Sequence, residues 1–185
     1  LVEELLRTVG AVSIDGMAGV GKTSLAVHVA HQLAPRYPDG GLYLDLHGFT
    51  PGQEPLEPRA ALGRLLGALD VTHPPAGAAE RAALWRSELS RRRALVVLDN
   101  AVDAEQVRPL LPGAGKSAVL ITSRHRLVSQ DGAPPVSLEP LANGAAAHLF
   151  GRAAGLALTD EEAVSQVLRQ CGGLPLTLRM AGARL

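Results

Sequence analysis

The chain has 185 residues, of which 46% are hydrophobic, and its 18 basic side chains balance 18 acidic ones. This length allows one domain and part of a second, and the apolar fraction excludes an intrinsically disordered chain. The zero net charge argues against direct nucleic-acid binding, because phosphate backbones attract a basic surplus. No apolar run reaches the roughly 20 residues that a membrane span needs.

The cysteine content and the first residues of the chain indicate the cellular compartment of the protein. The single cysteine, Cys171, excludes a disulfide framework and a cysteine-based zinc site, and it fits a reducing compartment. The chain begins Leu-Val-Glu-Glu, without an initiator methionine or the charged-then-apolar pattern of a signal peptide. We therefore expect a cytoplasmic location, no membrane association and a sequence cut from something longer.

Short β-branched runs alternate with longer Ala- and Leu-rich stretches, a pattern typical of a parallel sheet covered by helices. In chain order it predicts a strand at 9–15, a helix at 22–33, a strand at 41–46, helices at 59–69 and 78–92, a strand at 94–99, a helix at 103–111, and strands at 118–122 and 136–138. Beyond these, only helical periodicity remains, at 141–154, 160–171 and 174–185. We predict an α/β domain over residues 1–139 and a small helical domain over residues 140–185.

The segment 16–23, with the sequence GMAGVGKT, matches the phosphate-loop pattern G-x-x-x-x-G-K-[ST] without a gap. It follows a predicted strand and opens a predicted helix, which is the context that this motif requires. Glycines let backbone amides turn inward around phosphate oxygens, Lys22 adds a positive charge, and Thr23 places a hydroxyl where Mg²⁺ would bind. The expected nucleotide-binding residues are Gly16, Met17, Ala18, Gly19, Val20, Gly21, Lys22, Thr23 and Ser24.

A carboxylate at the end of a buried strand should hold Mg²⁺ beside the phosphate loop. Asp99 ends the continuous apolar run Ala-Leu-Val-Val-Leu, which is typical of a central strand buried on both faces. Asp45 is the second candidate, although its segment alternates more in polarity and continues past the acid. We predict that Asp99, together with Thr23, forms the metal side of the site.

Asn100 and Arg124 are the other candidate catalytic residues. Asn100 follows Asp99, at a position where many hydrolytic P-loop proteins hold a second carboxylate, and an amide is a poor proton acceptor. We therefore expect slow hydrolysis. Arg124 follows the predicted strand 118–122, and it faces the terminal phosphate if that strand lies between the two others of the site. A surface ion pair is the alternative role for Arg124.

The turn Gly172-Gly173-Leu174-Pro175 is explained by its composition as a helix stop followed by a helix start. In the order phosphate loop, LVVLD ending at Asp99, ITSR ending at Arg124 and GLPL around Pro175, the chain resembles the NB-ARC type of STAND signalling ATPase. Segments 98–112 and 171–185 are similar, more specifically, to the ATPase modules of actinobacterial antibiotic-pathway transcriptional regulators. The resemblance covers nearly the whole chain.

The resemblance implies a five-stranded parallel P-loop sheet in the order 5-1-4-3-2 with helices on both faces, followed by a small helical domain. It implies that ATP or ADP binds with Mg²⁺, that Arg124 senses the terminal phosphate and that Pro175 lies against the adenine. It also implies winged-helix, DNA-binding or repeat domains as flanking partners, and it allows nucleotide-dependent oligomerisation.

These observations predict a regulatory switch, at most a slow ATPase, whose ATP- or ADP-bound state sets how the module packs against flanking domains. A P-loop kinase or other metabolic ATP-dependent enzyme is the alternative, and a GTPase is a third. A kinase usually has a mobile lid with several arginines, whereas the loop 47–58 contains none. A GTPase needs an [NT]-K-x-D motif to read guanine, and neither Lys22 nor Lys116 lies in one.

Overall fold

The computed structural model describes residues 1–127, 133–155 and 160–185. Its strands are β1 (Ala11–Asp15), β2 (Gly41–Asp45), β3 (Leu95–Ala101), β4 (Ala118–Ser123) and β5 (Pro135–Ser137). Its helices are α1 (Val2–Val9), α2 (Lys22–Leu33), α3 (Pro58–Gly67), α4 (Ala78–Ser90), α5 (Ala104–Val107), α6 (Asn143–Ala154), α7 (Glu161–Cys171) and α8 (Pro175–Gly182). Short 3₁₀ turns, Ala34–Arg36 and Arg108–Leu110, follow α2 and α5. Across these described ranges, every helix is too short or too polar to cross a membrane.

The chain divides into two compact units. The first contains Leu1–Asp15 and Thr23–Ser137, and the second contains Gly16–Lys22 and Leu138–Leu185. The phosphate-loop segment is thus grouped with the C-terminal helices, although the chain connects it directly to β1 and to the rest of α2. The domain division between residues 139 and 140 stays a prediction.

The five described strands form one parallel sheet in the order β2-β3-β4-β1-β5. β4 therefore lies between β1 and β3, and β2 is an edge strand. The register pairs Asp45 of β2 with Asp99 of β3. The predicted order 5-1-4-3-2 is confirmed, and the carboxyl ends of the parallel strands share one edge of the sheet, where α/β folds bind ligands.

Burial distinguishes the central strands from the edge strand. Every residue of β1 and β4 is buried, and so is every residue of β3 except Asn100. In β2 only Leu44 is buried. A strand covered on both faces can bury every side chain, which is why the central strands are continuous apolar runs in the sequence.

Helices cover both faces of the sheet. On one face, the core contains Val96 of β3 together with Leu62 of α3 and Trp85 of α4. On the other face, Val97 of β3 and Val27 of α2 line a common groove. Because successive residues of a strand point to opposite faces, β3 contacts a different helix layer through each face.

The second unit is built around its own small core. Helices α6, α7 and α8 surround the buried side chains of Ala146, Phe150 and Leu178. Helix α8 approaches α6 closely at Gly182, where a Cβ atom would lie 2.9 Å from the Phe150 carbonyl oxygen. A larger residue at position 182 would therefore push the two helices apart.

The helix α1 is absent from the predicted elements, which begin with a strand at residue 9. The helix buries Leu6, and it ends at Gly10, whose φ of +72° is the left-handed conformation typical of a helix C-cap. Glu3 and Glu4 lie in its first turn, where the helix dipole favours acidic side chains. The first strand consequently begins at Ala11 rather than at residue 9.

Two predicted boundaries in the middle of the chain are also wrong. Strand β3 continues past Asp99 to Ala101, with an irregular register against β4 between Leu98 and Ala101. The helix predicted at 103–111 is a four-residue helix followed by a 3₁₀ turn. The reason is Pro109, which has no amide hydrogen to continue the α-helical hydrogen bonds.

Candidate functional site

The phosphate-loop segment Gly16–Lys22 joins β1 to α2. Gly16, Gly19 and Gly21 adopt φ angles of +143°, +79° and +103°, which other residues rarely adopt. At Gly16, a Cβ atom would lie 2.6 Å from the Leu138 carbonyl oxygen. The backbone conformation therefore requires the glycines of the motif, and it is the kind of turn that forms a concave anion-binding nest.

The other residues of the loop differ in exposure. Met17 is 60% exposed, and Ala18 and Ser24 are also exposed, whereas Val20 is buried. Val20 packs close to Gly16, since its Cγ1 atom lies 3.2 Å from the Cβ position of that glycine. The buried Val20 side chain therefore packs against the backbone of the loop at Gly16.

Lys22 is the first residue of α2 and is engaged by the loop itself. Its ammonium group donates hydrogen bonds to the carbonyl oxygens of Gly16 and Met17, each at 2.8 Å. Both acceptors are neutral, so a phosphate anion would add Coulomb attraction to the charge-assisted hydrogen bonds that the ammonium group already makes. A phosphate would therefore compete well for this ammonium group.

The start of α8 contacts the phosphate loop within the second unit. The Leu176 amide donates to the Gly19 carbonyl oxygen at 3.2 Å, and the Leu176 Cβ lies 3.1 Å from the Cβ position of Gly19. The Pro175 ring is next to Gly21, with 4.0 Å between its Cγ and the Cβ position of that glycine. The glycine–proline turn of the sequence is thus placed beside the loop.

Asp99 is buried, and its carboxylate accepts hydrogen bonds from three hydroxyl groups. Thr23 donates to Oδ1 at 2.8 Å and lies 3.1 Å from Oδ2. Thr122 donates to Oδ1 at 2.5 Å, and the Tyr43 phenol donates to Oδ2 at 2.9 Å. The donors come from α2, β4 and β2, so the buried carboxylate is not left without partners.

Asp45, the alternative metal-side acid, has a different set of partners. Its Oδ1 atom accepts a hydrogen bond from the His47 amide at 2.8 Å and another from the Asn100 side-chain amide at 3.4 Å. The His47 ring nitrogen lies 3.6 Å from the same oxygen. Thr23 bonds to Asp99, and this contact supports Asp99 for the metal side, which stays a prediction.

Asn100 is held by neighbours on three sides. Its φ angle is +60°, and its amide donates to the Thr122 hydroxyl at 2.9 Å. Its side-chain amide donates to the Thr50 hydroxyl at 3.0 Å, and its carbonyl accepts from the Gly48 amide at 2.8 Å. A Cβ atom on Gly48 would lie 2.5 Å from that carbonyl, so only glycine fits there. Asn100 thus joins β3 to the loop after β2.

Arg124 directly follows β4 and is exposed. Its guanidinium carbon lies 4.9 Å from the centre of the Phe49 ring, and Nη2 donates to the Phe49 carbonyl oxygen at 3.4 Å. The His125 ring contacts the same phenylalanine edge to face, with 5.0 Å between ring centres. The guanidinium is engaged by the loop after β2, and no ion pair of Arg124 is seen within the described part of the chain.

Tyr43 and Thr122 are site residues that the sequence analysis misses. Burial, the hydrogen bond to Asp99 and the charges of Asp99 and Asp45 together raise the pKa of the Tyr43 phenol far above its ordinary value. Thr122 could have been found from the predicted strand order, because its strand neighbours that of Asp99. No local signal marks Tyr43, since a tyrosine on an alternating edge strand is ordinary.

The donor set fits Mg²⁺ bound together with a nucleotide. Thr23 and Asp99 offer hard oxygen ligands, which Mg²⁺ prefers. Nowhere in the described ranges do three or more His, Cys, Asp or Glu residues cluster in a way that could hold a metal ion.

Sequence comparison finds regulatory proteins and plant disease resistance proteins among the relatives of this chain. No family model matches it. It is 46% identical over 183 residues to the regulatory protein AfsR of Streptomyces coelicolor and 48% identical over 177 residues to AfsR of Streptomyces griseus, covering 97% and 94% of this chain. It is 30% identical over 189 residues to the disease resistance protein RPV1 of Vitis rotundifolia, covering 94% of this chain and 13% of that protein. The chain spans 18% of the length of either AfsR protein.

Solved structures confirm the fold class. The Walker-type ATPase PABY2304 of Pyrococcus abyssi matches with a TM-score of 0.60 at 13% identity, over 98% of this chain and 64% of that one. A STAND protein with a tetratricopeptide repeat sensor from Pyrococcus horikoshii matches with a TM-score of 0.57 at 21% identity, over 96% of this chain and 28% of that one. The predicted resemblance to the NB-ARC type of STAND ATPase is confirmed, and the chain is a homologue of one segment of the AfsR regulators and plant disease resistance proteins.

Proposed function

We propose that this chain is the ATP/ADP-binding switch module of a larger signal-transducing or transcription-regulating protein, with slow or no ATP hydrolysis of its own. The hydrogen bond of 2.8 Å from Thr23 to Asp99 carries this proposal. It joins the residue directly after the phosphate-loop lysine to a buried carboxylate. A hydroxyl and a carboxylate in this relation are the protein groups that hold Mg²⁺ against nucleotide phosphates.

The phosphates would bind to residues 16–23. The loop amides and the N-terminus of α2 supply positive potential, and Lys22 would exchange its two carbonyl partners for phosphate oxygens. Thr23 and Asp99 would hold Mg²⁺, which neutralises charge on the phosphate oxygens when it is bound.

Two further residues would read the nucleotide. Pro175 lies beside Gly21 of the loop and would offer an apolar face to the adenine. Arg124, at the carboxyl end of the strand between β1 and β3, would bind the terminal phosphate that ATP has and ADP lacks. Together they would make the module sensitive to both base and phosphate state.

The relatives support a regulatory role for such a module. The two AfsR proteins are named as regulatory proteins, and this chain corresponds to a fraction of each. We propose that winged-helix, DNA-binding or repeat domains beside it provide the output, and that the bound nucleotide sets how they pack or whether copies assemble. The zero net charge supports an output that does not depend on direct nucleic-acid binding by this chain.

Calorimetric titration with ATP, ADP and GTP in the presence of Mg²⁺ tests the proposal. We expect binding of ATP and ADP, and weaker binding of GTP. Lys22→Ala should abolish binding of both adenine nucleotides with an unchanged circular-dichroism spectrum. Lys116→Ala is the matched control, because it removes the other lysine of the chain, which is exposed, and should leave binding intact.

Three outcomes would overturn the proposal. The first is the absence of ATP binding by the unmodified chain, and the second is unchanged affinity in Lys22→Ala. The third is phosphate transfer from ATP to a small acceptor, which would favour the kinase alternative.

A further inference from the structure

Asp99 accepts hydrogen bonds from three hydroxyl groups, and these hydroxyl groups differ in their other interactions. Thr23 is one of the two residues proposed to hold Mg²⁺. Thr122 donates to Asp99 but also accepts the Asn100 amide at 2.9 Å, so it helps to fix the irregular end of β3. Tyr43 has one hydrogen bond described for its hydroxyl, the one to Asp99 Oδ2 at 2.9 Å. Among the described contacts, the hydroxyl of Tyr43 therefore interacts with the Asp99 carboxylate alone.

The strand register explains how a residue of the edge strand reaches Asp99. Asp99 is paired with Asp45, and Tyr43 lies two residues earlier on the same strand. Side chains two residues apart on a strand point to the same face, and diagonal neighbours on adjacent strands are within reach of an aromatic side chain. The long Tyr43 side chain can therefore cross from β2 to the carboxylate on β3.

The ring of Tyr43 lies at the outer side of the sheet. It is 55% exposed, and it lines a groove of about 290 Å³ between α2 and the edge of the sheet, together with Tyr37, Val27 and Val97. The ring is thus partly in solvent, whereas the hydroxyl ends on a carboxylate that is only 6% exposed. Replacing the hydroxyl alone would change the environment of the carboxylate and little else.

We propose that Tyr43 is a positioning residue for the metal-side carboxylate: its phenol holds Asp99 Oδ2 and thereby orients the carboxylate toward Mg²⁺ of a bound nucleotide. This inference rests on the proposed function. Groups that donate hydrogen bonds to a metal-binding carboxylate fix its orientation, and their loss typically lowers metal affinity about 10- to 100-fold. Without the phenol, Oδ2 would keep only the longer contact of 3.1 Å with Thr23.

The phenol is suited to act as a permanent donor. A phenol ordinarily titrates near pH 10, so the group keeps its proton and donates at neutral pH. A neutral phenol also adds no charge to the site. It can therefore hold the carboxylate without competing with Mg²⁺ electrostatically.

The experiment compares Tyr43→Phe with Tyr37→Phe in the full chain. Tyr37 lines the same groove, which makes it the matched control for loss of a tyrosine hydroxyl. The affinity of a fluorescent ATP analogue is measured in EDTA and over a series of Mg²⁺ concentrations, with thermal unfolding recorded for each protein. Tyr43→Phe should raise the half-saturating Mg²⁺ concentration about 10- to 100-fold and leave the affinity in EDTA unchanged. Tyr37→Phe should behave like the unmodified chain.

A second variant, Tyr43→Leu, separates the hydroxyl from the shape of the ring. It should give the same Mg²⁺ shift, because it also lacks the hydroxyl. Three results would overturn the inference: different Mg²⁺ shifts in Tyr43→Phe and Tyr43→Leu, a loss of affinity in EDTA equal to the loss in Mg²⁺, or an unchanged Mg²⁺ requirement. Each of them would leave the proposed function standing. Failure of the unmodified chain to bind the analogue under any condition would overturn both.

Discussion

The Arg124 guanidinium rests on the ring of Phe49, and this contact is weaker than the one proposed for it with nucleotide. The exposed cation–π contact contributes about 0.5–1 kcal/mol. A hydrogen bond from a charged donor to phosphate contributes about 1.5–3 kcal/mol. The terminal phosphate of ATP should therefore draw Arg124 away from Phe49, whereas ADP should leave the contact intact.

This comparison predicts the behaviour of Arg124→Ala. The variant should bind ATP about 2- to 70-fold more weakly, because the bond to the additional phosphate outweighs the contact with Phe49 that it replaces, and it should bind ADP almost unchanged. Calorimetric titration with both nucleotides measures the difference, and Arg126→Ala, which removes an exposed arginine two residues further on, is the control. An equal loss of affinity for both nucleotides would assign Arg124 a structural role.

The two tyrosines of the chain should give the free protein a distinctive alkaline titration. Burial raises the pKa of Tyr37 despite the opposing charges of Arg36 and Arg93, and burial and Asp99 raise that of Tyr43. Both phenols are thus more stable as neutral groups in the folded chain than in the unfolded chain. Their contribution to stability is complete below about pH 10, the value for free tyrosine, and is lost as the pH rises through the higher folded values.

Absorbance at the phenolate band follows this titration directly. The folded protein should titrate above the urea-unfolded protein, and Tyr43→Phe should remove one of the two raised components. The free energy of unfolding should fall with pH above about pH 10. Coincident titration curves for folded and unfolded protein would contradict the surroundings described for both rings.

At the level of elements, the loop between β2 and α3 is fixed at both ends by one buried side chain. Gln106 of α5 donates from Nε2 to the carbonyl oxygens of Leu46 and Leu56, each at 3.0 Å. Its Oε1 accepts the Val102 amide at 2.9 Å. The loop that carries Gly48, Phe49 and Thr50 is therefore closed by two hydrogen bonds that one side-chain amide donates, and the Val102 amide holds the oxygen of that side chain.

Gln106→Leu should therefore destabilise the chain by about 2–4 kcal/mol, because it leaves several backbone groups without partners at about 1–3 kcal/mol each. Urea unfolding gives the change in free energy. Gln53→Leu, in an exposed position of the same loop, should change it by less than about 0.5 kcal/mol. A loss below about 1 kcal/mol in Gln106→Leu would mean that water replaces the amide.

The helices and strands differ in how well the sequence predicts them. Strands β1, β3 and β4 are predicted because burial on both faces imposes continuous apolar runs. The helix α1 is missed because it has only eight residues, although Val2, Leu5, Leu6 and Val9 follow the helical spacing i, i+3, i+4, i+7. Its acidic first turn and Gly10 are the signals that could have identified it.

The residues of the candidate site also differ in whether the sequence predicts them. Residues 16–23 are contiguous, so a local motif finds them. Tyr43 and Thr122 reach Asp99 only through the lateral order and register of three strands. Asn100 is noticed from the sequence as a missing carboxylate, but its bonds to Thr50 and to Asp45 depend on the path of a loop.

On the scale of the whole molecule, a switch needs its bound nucleotide to persist. Asn100 can position a water molecule but accepts a proton poorly, and general-base assistance contributes about 10²–10⁴-fold to rate. We expect the unmodified chain to complete less than about one turnover per minute under single-turnover conditions, measured by phosphate release. Turnover at about 1 s⁻¹ or faster, as in kinases, would contradict the switch.

The contact between Asn100 and Asp45 determines how a carboxylate can be restored. The Asn100 side-chain nitrogen lies 3.4 Å from the Asp45 oxygen, so Asn100→Asp alone would place two carboxylates side by side. Like charges at this distance favour protonation of one member, which would blunt the new base.

The double variant Asn100→Asp with Asp45→Asn exchanges the two groups and keeps one amide beside one carboxylate. We expect it to hydrolyse ATP at least about 10-fold faster than the unmodified chain, and Asn100→Asp alone to gain less. Asp45→Asn alone is the control and should remain slow, because it adds no proton acceptor. A double variant no faster than the unmodified chain would show that the attacking water is not held at position 100, and the slow turnover would then need another cause.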